Sequence, residues 1–142
     1  MKKTRVLVLI LLTALLCGIF AGCGEESKEI TVTLIIEAGD DLIFEQQMKL
    51  DYENPNVLML VKEAAILYEL PITYNANDDS VKDIGEYKEY DDLENNFAYF
   101  WEYSINGVFP DAQTGGKANA QAIVDGDVIT YVYTELDLDT VK

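Results

Sequence analysis

The chain has 142 residues, of which 26 are acidic and 10 are basic, and its formal net charge is −16. This charge argues against nucleic-acid binding, because phosphate contacts require clustered lysine and arginine. The chain also has no histidine, which excludes Ser-His-Asp and Cys-His catalysis and a zinc site built from histidine and cysteine. We therefore expect a protein that is not an enzyme and holds no metal, with a solvated acidic exterior.

The N-terminal segment has the organisation of a secretion signal. It begins with the basic residues Lys2, Lys3 and Arg5, and a 15-residue apolar stretch follows from Val6 to Phe20. Next come the small residues Ala21-Gly22 and then Cys23. The apolar stretch is short for a membrane-spanning helix, which needs about 20 residues. We therefore expect residues 1–22 to be a signal peptide, with an uncleaved membrane anchor as the alternative.

The cysteine after this leader resembles the lipobox cysteine of bacterial lipoproteins, whose thiol receives a diacylglyceryl group and becomes the first residue. The resemblance implies that Cys23 carries palmitate or a similar acyl chain and that the lipid bilayer is a partner of the protein. We expect the chain to be lipid-anchored at the extracytoplasmic face of the cell membrane.

The residues after the leader suffice for one domain. We divide them into a polar tether at residues 23–29, a domain at 30–136 and a polar tail at 137–142. Cys17 leaves with the leader and Cys23 is expected to be acylated, so no disulfide can form and the core alone must stabilise the fold. Loss of the three basic leader residues lowers the net charge to about −19.

The first part of the domain alternates in hydrophobicity with the period of a β-strand. The turn signal Ala38-Gly39-Asp40-Asp41 separates two such runs, which predicts a β-hairpin. The residues expected on its core face are Ile30, Val32, Leu34, Ile36, Leu42, Phe44, Met48 and Leu50.

A helix is predicted next, because the apolar spacing changes after Asn54-Pro55-Asn56. Asn56 is a suitable N-cap residue, and Pro71 limits the far end of a helix of about 13 residues. Its expected core stripe consists of Val57, Leu60, Val61, Ala64, Leu67 and Tyr68.

The second half of the domain alternates clearly only in parts. Residues 81–90 predict an irregular strand, and residues 91–96 predict a loop. Residues 99–105 alternate as a strand and end at the tight-turn pair Asn106-Gly107. A last strand is predicted at residues 128–134, with a frayed tail after it.

One motif resembles a known family. Trp101-Glu102-Tyr103-Ser104-Ile105-Asn106-Gly107, followed by Asp125-Gly126-Asp127-Val128-Ile129, is similar to the transcobalamin-like C-terminal domain, known as domain of unknown function 4430. The resemblance implies a β-grasp-like α+β fold, in which one main helix packs across a mixed sheet. In the animal cobalamin carriers the equivalent domain closes over one face of the corrin, so a corrinoid is an implied ligand class; this chain has no histidine to ligate cobalt.

These observations predict a non-enzymatic surface lipoprotein that binds a small molecule or a surface protein. The residues expected to make the contacts lie in the last strands and in the loop at 108–117: Phe100, Trp101, Tyr103, Asn106, Gly107, Val108, Phe109, Gly115 and Gly116. For Trp101 and Tyr103, core packing is the default expectation, and ligand contact is the alternative. The alternatives are a solute-capture component of an uptake system and a carboxylate-based hydrolase. Solvated turns are the expected role of three acidic pairs, with calcium binding as their alternative: Asp78 and Asp79, Asp91 and Asp92, and Asp125 and Asp127.

Overall fold

The structure is a computed structural model that describes residues 29–77, 79–110 and 117–141. Its elements are β1 (Ile30–Ala38), β2 (Asp41–Leu50), α1 (Val57–Leu67), β3 (Ile72–Tyr74), β4 (Val81–Ile84), β5 (Tyr87–Lys88), β6 (Tyr90–Asp92), β7 (Phe97–Ile105) and β8 (Val128–Asp137). A short 3-10 helix, Leu138–Val141, follows β8. The fold is α+β, as the sequence predicts.

The strands form two sheets. The larger sheet has the order β2-β1-β8-β7-β6, in which β1 and β8 run parallel and the other neighbours are antiparallel. The smaller sheet consists of β3, β4 and β5 and is antiparallel. The first and last long strands thus lie side by side, so the large sheet depends on pairing between distant parts of the chain.

The predicted hairpin is present as β1 and β2, and Gly39 occupies the left-handed region at its turn (φ 60°). A β-bulge between Ile36 and Glu37 shifts the pairing, so that Phe44 lies opposite Ile36 whereas Leu42 lies opposite Glu37. Because a bulge changes which face the following residues occupy, Leu42 is 59% exposed. Its predicted place on the core face is wrong.

The predicted helix is also present and begins as expected. The Asn56 side-chain oxygen accepts a hydrogen bond from the Met59 N–H (2.9 Å), which satisfies one of the free donors of the first turn. Most of the predicted stripe is buried, together with Leu58. The exceptions are Leu67 and Tyr68, which lie at the helix end and are 59% and 43% exposed; the Tyr68 ring packs edge-on against Phe44 instead (5.0 Å).

A single hydrophobic core joins the two sheets and the helix. It contains alternate residues of β1, the buried face of α1, two residues of β4 and the inward side chains of β7 and β8. Trp101 connects the layers directly, because its Nε1 donates a hydrogen bond to the Tyr87 carbonyl of β5 (3.2 Å). The small sheet therefore lies against the aromatic end of the large one.

The segment from 72 to 98 differs most from its prediction. Instead of one irregular strand, β4 and β5 are separated by a turn at Gly85, whose φ of 61° suits glycine. Asp91 and Asp92 lie in β6 rather than in a loop, and the turn begins at Asp92, whose carboxylate accepts hydrogen bonds from Asn95. These strands have two to four residues, too few for a visible alternation.

The C-terminal end is also more ordered than expected. β8 continues past Thr134 to Asp137, which pairs with Phe97, and the Leu138 N–H donates to the Asn96 carbonyl (2.9 Å). The sequence predicts a polar tail from residue 137, and its expected fraying is therefore wrong for Asp137 and Leu138. The predicted signal peptide and Cys23 lie outside the described residues. Among the described helices, none has the length and apolar character needed to cross a membrane.

Candidate binding pocket at the edge of β7

A cavity of about 350 Å³ lies beside β7, and we call it the β7 pocket. Its described lining is mostly aromatic or aliphatic, with one carboxylate and one ammonium group. The lining residues are Ser80, Val81, Phe100, Trp101, Glu102, Tyr103, Phe109, Pro110, Lys117, Ala118 and Tyr131. The volume lies at the lower end of the range of about 300–1,000 Å³ that is typical of small-ligand pockets.

The pocket occupies a stretch of β7 between two paired positions. β6 pairs with β7 as far as Tyr99, and Ile105 forms the next bridge on this side, with Val108. Residues 100–103 lie between them and border the cavity. Because successive strand side chains point to opposite faces, this stretch supplies residues from both faces of the sheet to one cavity.

Trp101 forms the rigid part of the wall. Its side chain is only 7% exposed, its Nε1 is held by Tyr87, and its ring lies 5.2 Å from the ring of Tyr133. A ring held by a hydrogen bond and by aromatic contacts cannot turn away from the cavity without losing core packing. Trp101 is thus both a core residue and a lining residue.

Buried tyrosines form another part of the lining. Tyr103 and Tyr131 stack with ring centroids 5.4 Å apart. Burial raises the pKa of Tyr103 to about 12 and raises that of Tyr131 still further, while Tyr74, beside the lining residue Val81, has a pKa raised to about 12 for the same reason. These hydroxyls are therefore neutral at physiological pH, and the pocket contains no tyrosinate.

The rim of the pocket is more accessible. Phe109 is 51% exposed, and Lys117 is exposed as well. Glu102 is half-buried, and its Oε1 accepts a hydrogen bond from the Thr134 hydroxyl (2.6 Å). An apolar interior next to two opposite charges can hold a ring and orient a polar group beside it.

Beside the pocket lies a polar cluster, which we call the Asn106–Asp127 bracket and which consists of Asn106, Asp125 and Asp127. The Asn106 amide donates to Asp127 Oδ1 (2.8 Å) and accepts from the Val128 N–H (2.9 Å). Asp127 Oδ2 accepts from the Val124 N–H (2.8 Å), and Asp125 accepts from the Thr31 N–H (2.8 Å). The bracket ties the turn after β7 to the starts of β8 and β1.

The bracket explains much of the sequence motif in structural terms. Asn106 and Gly107 both have positive φ values, 53° and 79°, and the Ile105 and Val108 backbones exchange two hydrogen bonds of 3.0 Å across the turn. Asn and Gly are the residues that such a turn requires. The turn geometry and the hydrogen bonds of the bracket account for Asn106-Gly107 and for Asp125-Gly126-Asp127 without a ligand.

The pocket brings together four of the predicted contact residues: Phe100, Trp101, Tyr103 and Phe109. Asn106 and Gly107 lie in the turn of the bracket, and Val108 is 69% exposed but does not line the cavity. Gly115 and Gly116 lie outside the described residues.

Several lining residues were missed by the sequence analysis: Ser80, Val81, Glu102, Ala118 and Tyr131. Tyr131 could have been found from the sequence, because it alternates within the last strand as Tyr103 does within β7. In the structure the two residues lie opposite each other. Ser80 and Val81 could not have been found in this way, since they reach the cavity through packing of the small sheet.

Metal ligands are not grouped in the described part of the chain, where no set of three or more His, Cys, Asp or Glu side chains could hold an ion. Of the acidic pairs considered above, Asp125 and Asp127 accept hydrogen bonds within the bracket. Asp78 lies outside the described residues.

No protein-family model matches this sequence, and no curated protein does. Among solved structures, the fold is similar to the crystal structure of a "putative metal binding protein" from Ruminococcus gnavus ATCC 29149. The TM-score is 0.49 and the identity is 18%, over 76% of this chain and 99% of that one.

Proposed function

We propose that this chain is a lipid-anchored module at the extracytoplasmic membrane face and that it binds a small ligand through the β7 pocket. The observation that carries the proposal is an aromatic cavity that includes Phe109, an apolar side chain 51% exposed. Burial of such a ring by a ligand is favourable by about 25 cal/mol per Å² of apolar surface removed from water. Five lining residues belong to the core, so this part of the wall needs little ordering on binding: Val81, Trp101, Tyr103, Ala118 and Tyr131.

The concave shape favours a small molecule over a protein partner. Protein interfaces of standard size are broad surfaces of about 800 Å² on each side, whereas this site is a concave cavity of about 350 Å³, which is within the small-ligand range. A solute-capture role beside a membrane transporter fits that shape.

The hydrolase alternative receives less support. A glycosidase-type reaction needs two acidic groups about 5–10 Å apart across a cleft. Glu102 is the single carboxylate among the described residues that line the pocket, and a hydroxyl already contacts one of its oxygens. We therefore propose binding without catalysis.

The proposal extends to the fold family. A hairpin followed by a helix, with the last strand parallel to the first at the sheet centre, supports a β-grasp fold of the transcobalamin-like kind. A corrinoid is a large disc, and it would lie against a cavity of this size rather than enter it. We expect cobalamin to bind with a dissociation constant no tighter than about 1 μM, or roughly −8 kcal/mol.

The pocket can be tested by amide chemical-shift mapping of the full chain in detergent with a panel of small aromatic compounds. Shifts should concentrate on residues 100–103 and 80–81. Phe109→Ala should weaken the compounds that bind by tenfold or more, because it removes an accessible ring from the lining. Val108→Ala is the matched control, since its side chain is more exposed and lies outside the cavity.

Two results would contradict the proposal. One is that no compound in the panel perturbs the pocket residues. The other is that Phe109→Ala and Val108→Ala weaken binding equally, which would place the contacts on the turn instead of in the cavity.

The anchor is tested separately with Cys23→Ala. This variant should accumulate as an unprocessed precursor and should not incorporate labelled fatty acid, because the acceptor thiol is gone. Cys17→Ala is the control and should be labelled normally. Labelling of the Cys23 variant at the normal level would refute lipid attachment at this residue.

A further inference from the structure

We propose that the β7 pocket binds a free aromatic amino acid as its zwitterion, with the ring among the aromatic side chains, the ammonium group at Glu102 and the carboxylate at Lys117. This inference rests on the proposed function and names the ligand class of the same pocket. Three features of the lining carry it: the apolar interior, the two charges at its rim and the volume.

The interior suits a ring. Phe100, Trp101, Tyr103 and Phe109 line the cavity with aromatic surface, and Val81 adds an aliphatic wall. Aromatic side chains gain from edge-to-face or offset contacts with another ring in addition to simple burial. An aliphatic side chain would fill the same space without that gain.

Glu102 supplies the anionic part of the site. It is half-buried, and its described contact is a neutral hydroxyl, which leaves acceptor capacity on the carboxylate. The ion pairs in the described part of the chain are Lys49–Glu29 and Lys62–Asp79, and neither involves Glu102. A half-buried carboxylate without a cation is stabilised when an ammonium group binds beside it.

Lys117 supplies the cationic part. It is the sole basic residue among the described residues of the lining, and the described ion pairs do not include it. With 26 acidic residues in the chain, the general field repels a simple anion. A ligand that carries both charges can use Lys117 without that penalty, because its ammonium group compensates for its carboxylate.

The volume selects against larger ligands. A cavity of about 350 Å³ accommodates a ring and an amino-acid head group, whereas most of an oligosaccharide or a corrinoid would remain outside it.

The test uses the full chain in detergent and three probes: L-phenylalanine, phenethylamine, which lacks the carboxylate, and 3-phenylpropionate, which lacks the ammonium group. Calorimetry gives the affinities, and Trp101, the single tryptophan of the chain, reports occupancy by its fluorescence. L-Phenylalanine should bind tenfold or more tightly than either analogue.

Charge-removing variants assign each group. Glu102→Gln should weaken L-phenylalanine about tenfold and should not weaken 3-phenylpropionate, whose repulsion by this carboxylate is removed. Lys117→Met should weaken L-phenylalanine and should not weaken phenethylamine, whose repulsion by this ammonium group is removed. Glu45→Gln, at an exposed carboxylate of β2, is the control and should alter none of the three.

The outcomes separate the two proposals. Binding of all three probes with similar affinity, insensitive to Glu102→Gln and Lys117→Met, would overturn the amino-acid assignment and leave the aromatic pocket intact. Absence of binding by all three, with no aromatic compound of the mapping panel perturbing the pocket, would overturn both.

Discussion

The turn after β7 borders two regions that use their side chains in opposite ways. In the Asn106–Asp127 bracket, each polar side chain is occupied by a neighbour in the fold. In the β7 pocket, Phe109 presents a ring that is 51% exposed beside a carboxylate without a described cation. The two regions lie three residues apart at this turn.

The difference separates residues that hold the fold from residues that can hold a ligand. A polar group that is already satisfied gains little from a ligand, because a new contact must replace an existing one. Exposed apolar surface in a concave site gains the full transfer free energy when it is covered. We expect mutations in the bracket to change stability and mutations at the pocket rim to change binding.

The largest effect is expected at high pH and concerns Tyr103 of the pocket and Tyr74 next to it. The pKa values of Tyr103 and Tyr74 are raised to about 12, whereas unfolded tyrosine has a pKa of about 10. Between these values the folded state holds more protons than the unfolded state, so stability falls as pH rises. The contribution of these tyrosines should be constant below about pH 9 and should decline between about pH 10 and 12.

Denaturant unfolding at a series of pH values, with tyrosinate absorbance followed in parallel, measures this decline. Tyr103→Phe removes one of the titrating groups and should make the decline shallower. A stability profile that stays level through pH 12 would mean that these tyrosines are accessible to solvent.

Trp101→Ala should have the next largest effect, because Trp101 belongs to the core as well as to the pocket. Loss of a buried aromatic side chain costs about 3–5 kcal/mol, and here the hydrogen bond to Tyr87 is lost too. Thermal and denaturant unfolding give the value. Tyr90→Ala, at a ring that is 50% exposed, should cost clearly less, and equal losses would place Trp101 at the surface.

Asp127→Ala tests the bracket. The substitution removes the acceptors of the Asn106 amide and the Val124 N–H, which we expect to cost about 1–3 kcal/mol of stability. Affinity for aromatic compounds should not change. Asp91→Ala, at an exposed carboxylate of β6, is the control, and a similar loss there would mean that removal of negative charge, not of hydrogen bonds, is responsible.

Phe109→Ala should have the smallest effect on stability, within about 0.5 kcal/mol, because its side chain is half exposed. Denaturant unfolding of this variant beside Asp127→Ala sharpens the comparison directly. If Phe109→Ala destabilises the protein as much as Asp127→Ala, the ring stabilises the fold. Phe109 could then no longer be assigned to ligand binding.

The hairpin and the helix could be predicted because their signals are local. The alternation of β1 reports one buried face, and Asn56 with the following apolar spacing reports a capped helix. The bulge beside Glu37 could not be predicted, because it arises where two strands with their own twists are paired. The β7 strand and its turn could be predicted from the sequence. Whether Trp101 faces the core or a ligand could not.

Local sequence preferences are sufficient to specify the strands β1 and β7, the helix and the tight turn at Asn106-Gly107, because each depends on the spacing and backbone preferences of neighbouring residues. Which motif residues form the bracket and which line the pocket depends on the packing of the whole chain. Asp127 lies 21 positions from its partner Asn106, and Ser80 and Lys117 reach β7 from distant segments. Such contacts depend on how the sheets pack, and no local pattern encodes that packing.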